Sequence, residues 1–205
     1  MHFNTAVRRL RVIAEDCQKT GPLLDGGDGL LAVYAFGPVL DHPGQDLEAA
    51  NIVLVMGMSA DELPWGVEPP KCSALARLLR LDKSPVLWRW RPAEWPVANH
   101  EIRGPMPIWS REDGVRTAAL DALAERRAER FRLPDPDDDA LAEQSARELQ
   151  TSLAHLRAVR DRYWDDLDWQ RSHRRDGRYP EDHLWQAVDG YLDLLDRSAS
   201  TRSQI

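Results

Sequence analysis

Residues 29 to 58 constrain the fold more than any other stretch. Gly29-Leu-Leu-Ala-Val-Tyr-Ala-Phe-Gly-Pro and Asn51-Ile-Val-Leu-Val-Met-Gly-Met are two short apolar runs on either side of a polar loop. Runs of this length, rich in β-branched residues and free of charge, predict strands buried on both faces. Such strands need helices to cover them, so an α/β protein (α+β) with a small mixed sheet is expected.

Upstream, Phe3, Val7, Leu10, Ala14 and Cys17 recur at spacings of 4, 3, 4 and 3, the stripe of an amphipathic helix. Downstream, Ser59 to Gly66 reads as a turn around Pro64. Ser73 to Leu81 reads as a helix capped by Ser73, with Leu75, Leu78 and Leu79 inward. Pro85 to Arg91 alternates, placing Val86, Trp88 and Trp90 on one face and Leu87, Arg89 and Arg91 on the other. That pattern predicts a half-buried strand. Pro92, Pro96, Pro105 and Pro107 make residues 92–110 a loop, with room for an edge strand at Glu101 to Arg103. Ser110 with Asp113 three residues on resembles a helix start, and the helix should run to about Arg132.

Pro134-Asp-Pro-Asp-Asp-Asp139 is the clearest boundary. Beyond it, Ala142, Ala146, Leu149, Leu153, Leu156, Arg160, Tyr163 and Leu167 keep 4-3 spacing, and a second stripe follows at Leu184, Val188, Tyr191 and Leu195. Two such seams predict an antiparallel helical hairpin. The expected organisation is an α/β domain over 1–133, a helical hairpin over 134–198 and a disordered tail at 199–205.

The net charge of −7 argues against non-specific nucleic-acid binding, which needs clustered cations. No run reaches the length of a membrane span, so no membrane association is expected. Cys17, on the helix stripe, and Cys72, in a Pro-Pro-Lys-Cys-Ser loop, form neither a disulfide framework nor a zinc site. A cytoplasmic protein without a cofactor is the expectation.

The order helix, strand, Phe36-Gly37, loop, strand, helix, strand resembles the opening of the polymerase-β-like nucleotidyltransferases, above all their minimal bacterial members. The resemblance covers roughly residues 1–92. It implies a turn that holds nucleotide phosphates, an Asp-x-Asp pair on the second strand and a third acid on a later strand. Two metal ions bridging a triphosphate and an attacking hydroxyl require such an oxygen-rich site. The corresponding positions here depart from the pattern. Pro38 stands where the family has a serine, and Asn51 lies where the acid pair belongs. Asp46 and Glu48 precede the strand, in the loop. Phe36, Gly37, Pro38, Asp46, Glu48 and Asn51 are thus the positions of a degenerate nucleotide site. Glu62-Leu-Pro-Trp-Gly66 and Gly177 to Trp185 also resemble an uncharacterised actinobacterial family.

The expected function is a non-catalytic binding or regulatory protein, antitoxin-like in style, whose partner is another protein or a second copy of itself. Trp65, Trp95 and Trp109 with Arg89, Arg91 and Arg103 form a candidate aromatic–arginine binding surface. Two catalytic alternatives stand beside it. One is a metal-independent ribonuclease using Arg178 and His183, which match the arginine-to-histidine spacing of HEPN-type toxins. The other is a divergent nucleotidyltransferase. Asp165, Asp166 and Asp168 with His173 and His183 could in principle gather a metal, but a solvated acidic helix end accounts for them.

Overall fold

A computed structural model describes residues 1–20, 27–83, 85–175 and 179–202, the side chains at 172, 173, 175 and 198–202 excepted. The chain divides into two compact units. The first comprises 1–59 and 69–136; the second comprises 60–68 and 137–205.

The first unit is built on a five-stranded mixed sheet of order β3-β2-β1-β4-β5. The two apolar runs are its central strands, β1 (Leu30–Phe36) and β2 (Ala50–Met56), paired antiparallel with Phe36 opposite Asn51. Helix α1 (Phe3–Thr20) buries the predicted stripe, widened by Ala6 and Ile13. Burying each leucine or isoleucine of that stripe is worth roughly 1.5–3 kcal/mol. Phe36 leads through Gly37 into α2 (Pro38–Asp41). Helix α3 (Pro70–Leu78) then precedes β3 (Val86–Pro92), which runs parallel to β2 with Leu87 opposite Asn51.

Several sequence expectations are corrected. Helix α3 starts at the first proline pair, capped at Pro69 rather than Ser73, because proline is preorganised for a first turn. Cys72 therefore lies buried in a helix, and Leu78 faces out. Arg91, expected on the exposed face of β3, is 1 % exposed. Its guanidinium donates through Nε and Nη2 to the Pro96 carbonyl, at 3.2 and 2.6 Å. No strand forms at 101–103; the Pro-rich segment instead supplies β4 (Met106–Ser110), paired antiparallel with β1. Pro107 pairs with Tyr34 beside a register shift, and β5 pairs only with Trp109 and Ser110, so among the described residues no strand lies on the other edge at Pro107. Ser110 and Asp113 close a turn, with the Asp113 N–H donating to the Ser110 hydroxyl oxygen at 3.0 Å, into β5 (Gly114–Val115). The helix expected from Ser110 begins only at Thr117, as α4 (Thr117–Ala124). Both α1 and α4 pack on β4 and on each other.

The second unit begins where Asp137 caps α5 (Asp138–Asp165), its carboxylate accepting from the Ala140 N–H at 2.8 Å. A short helix α6 (Leu167–Arg175) joins α5 to α7 (Pro180–Arg202), and α5 packs along α7. The expected seams are displaced. The fully buried positions of α5 are Gln144, Glu148, Ser152 and Val159, while Ala142, Ala146, Arg160 and Leu167 are exposed. Gln144 Nε2 donates to Glu148 Oε1 at 2.9 Å along this polar face. On α7 the buried line is Ala187, Gly190 and Leu194. The tail expected to be disordered continues α7 to Arg202.

Candidate functional site

The end of the sheet at Phe36 is where the nucleotidyltransferase resemblance places chemistry. Gly37 adopts φ +69°, a conformation that favours glycine, and its carbonyl accepts the N–H groups of Leu40 and Asp41 at 2.8 and 3.1 Å. A Cβ at Gly37 would sit 3.1 Å from Nδ2 of Asn51, so the Asn51 amide lies against this turn. Pro38 occupies the first helical position without a donor.

Strand pairing aligns Phe36, Asn51 and Leu87 in one row across the sheet, with Val53 and Arg89 the next matched pair on that face. The row offers a neutral amide, apolar side chains and a guanidinium. Arg89 is held by Glu101, with Nε donating to both carboxylate oxygens at 2.9 and 3.1 Å. The Asp46 carboxylate oxygen lies 2.7 Å from His2 Nδ1, at an exposed position. Glu48 is exposed in the loop before β2. A pair of divalent ions needs several convergent oxygens, and the row itself supplies no carboxylate.

Of the aromatic–arginine set, Trp65, Arg91 and Trp109 are buried. Trp109 is 2 % exposed and donates through Nε1 to Gln18 Oε1 at 3.1 Å. Trp95 is half-buried, its ring 5.5 Å from the buried Arg91 guanidinium. Arg103 pairs with Asp135 at 3.4 Å. Trp65 belongs to the other unit. Large rings in a Pro-rich segment are used here as anchors, which removes Trp65 and Trp109 from any exposed platform.

Residues 60–68 are the unexpected element. The segment lies against the helices of the second unit, with Trp65 3 % exposed and its Nε1 donating to Asp193 Oδ2 at 2.7 Å. The Glu68 N–H donates to Gln186 Oε1 at 3.2 Å. Gln186, Gly190 and Asp193, spaced 4 and 3, therefore form one face of α7 that receives the loop. Gly66 and Gly190 meet at the centre: a Cβ on Gly66 would lie 2.7 Å from the Gly190 Cα. On α5, burial and the nearby Arg162 push the His155 imidazole below its ordinary value of 6.5, while the Asp61 backbone and carboxylate pull the other way. Asp193, Gln186 and His155 escaped the sequence reading because each is an ordinary helix-surface residue type. Gly190 carried a signal, since an isolated glycine inside a helical pattern marks close approach.

Arg178 of the ribonuclease motif lies outside the described residues. His183 is half-buried in the first turn of α7, its ring edge-on to Trp169 at 5.9 Å between centroids. Of the acidic group, Asp166 caps α6 by accepting from the Trp169 N–H at 2.8 Å, and Asp168 stands 3.4 Å from Arg171. These are helix-end roles. Cys17 is buried, which pushes its thiol up to about 12 and leaves it unreactive.

The sheet and the loop held by two helices define an α+β protein with a small mixed-sheet unit and a helical unit. The chain belongs to the family described as a domain of unknown function (DUF7711), whose model matches residues 1–200. No curated protein and no solved structure matches it. No helix among the described residues is long and apolar enough to cross a membrane.

Proposed function

We propose that this chain is a non-catalytic binding or regulatory protein on a degenerate nucleotidyltransferase-like scaffold, antitoxin-like in style. The observation that carries the reading is the row Phe36, Asn51 and Leu87. It lies beside the Phe36-Gly37 turn, where the resembled family gathers its metal-binding acids, and it contains none. The element order helix, strand, Phe-Gly turn, short helix, strand, helix, strand supports the scaffold. Replacing two metal-ligating carboxylates by an amide and a valine removes the means of neutralising a triphosphate, and with it the transfer step. The arrangement leaves surfaces for recognition rather than reaction.

The test is incubation with labelled nucleoside triphosphates, Mg²⁺ or Mn²⁺, and protein and RNA acceptors. No label should be transferred. Labelling that disappears when Asp46 and Glu48 are both changed to alanine would overturn the reading and restore the divergent-transferase alternative.

A further inference from the structure

Helix α7 has two opposed faces. One, with Gln186, Gly190 and Asp193, receives the loop at 60–68. The other carries Trp185, Val188, Leu192 and Leu195 at spacings of 3, 4 and 3. Trp185 is 68 % exposed, Leu192 46 % and Leu195 38 %. An apolar stripe of this period, left in water over three turns, fits another helix and not an extended strand.

The charge beside the stripe specifies that helix. Between residues 180 and 197 there are five carboxylates and one arginine. Asp182, Asp189 and Asp196 recur every seven residues, forming a line along the flank of Trp185 and Leu192. Glu181 lies 3.5 Å from Arg174, and Asp193 is bonded to Trp65. Among the described residues no ion pair involves Asp182 or Asp189. A second copy docking α7 on α7 would bring one acidic line toward the other, and an anionic membrane would be repelled by it.

We infer that the exposed face of α7 docks a cationic amphipathic helix of another protein. That helix would carry apolar residues at 3-4 spacing and Lys or Arg seven apart along one edge. The inference deepens the binding function proposed above and rests on it only in requiring a partner, since its residues lie outside the sheet.

The test is selection of a displayed library of helical peptides, randomised on one face, against the full chain. Enriched peptides should show apolar 3-4 spacing with a cationic flank. Binding of one such peptide, followed by tryptophan emission, should weaken at least tenfold in Trp185→Ala and Leu192→Ala. In Asp182→Asn combined with Asp189→Asn it should weaken several-fold at low salt, with that difference vanishing near 1 M salt, where the screening length is about 3 Å. The asparagine pair is exposed and leaves folding intact, so it remains informative if the apolar variants misfold. No enrichment, enrichment without cationic bias, or a dimer by sedimentation that Leu192→Asp splits would each overturn the inference. Nucleotide labelling reads the sheet end alone, so the two proposals fail separately.

Discussion

Gly190→Ala tests whether the loop at 60–68 is held as the structure shows. In an exposed helix, alanine in place of glycine stabilises by about 1 kcal/mol. Here the new methyl would press on the Trp65 carbonyl oxygen, lie 3.0 Å from its carbon and 3.2 Å from the Gly66 Cα. These are backbone atoms, so no side chain can rotate away. Overpacking of this kind costs about 1–3 kcal/mol. If the loop lifts instead, the charge-assisted Trp65–Asp193 bond is lost, about 1.5–3 kcal/mol, together with the burial of the indole. With backbone on the far side of the contact the upper part of the overpacking range applies, so after the helix gain a net loss of about 1–2 kcal/mol remains. For a chain of this size that lowers Tm by about 2–8 °C. Scanning calorimetry with tryptophan emission as a second probe measures it. Gly66→Ala reports the same contact, with an added penalty from its φ of +78°, so the double variant should fall short of the sum. A Gly190→Ala protein that melts at or above the wild-type temperature would refute the packing.

Two further outcomes follow from the same unit. Trp65→Phe keeps an aromatic ring but is smaller and lacks the donor to Asp193, and should cost at least the bond's about 1.5–3 kcal/mol by chemical denaturation, whereas Asp193→Asn in the tryptophan background keeps a neutral acceptor and should cost less. His155 titrates lower in the fold than in the unfolded chain, so the unfolded chain binds more protons as pH falls below 6.5. Stability from the neutral imidazole is therefore present above 6.5 and lost as pH drops toward the folded value; His155→Gln should flatten the melting-temperature profile in that window.

Much of the sheet was legible because β1 and β2 are uncharged apolar runs with no other use. Strand β4 was hidden by Pro105, just before it, and by Pro107, which sits where β4, among the described residues, has a strand on one side only. Ser110 and Asp113 misled because a hydroxyl and a carboxylate three apart close a turn as readily as they start a helix. Alternation put Arg91 outside; only the carbonyl of Pro96, five residues on, explains its burial. The α5 seam was displaced because its most buried face is polar, Gln144, Glu148 and Ser152, and hydrophobic spacing cannot find such a face. At the candidate site, the residues of the row Phe36, Asn51 and Leu87 were readable directly, since they are identities. The grip on Trp65 was not, because it joins residues 128 apart.

That separation has a consequence on the ribosome. At about 5–20 residues per second, roughly 6–25 s pass between synthesis of Trp65 and of Asp193. Throughout that interval the indole lacks its Asp193 acceptor and Gly66 has no helix to rest on, while α1, β1 and β2 have already been synthesised. The Leu63-Pro-Trp65 segment thus waits for α7, open to a chaperone or a protease until that helix is made.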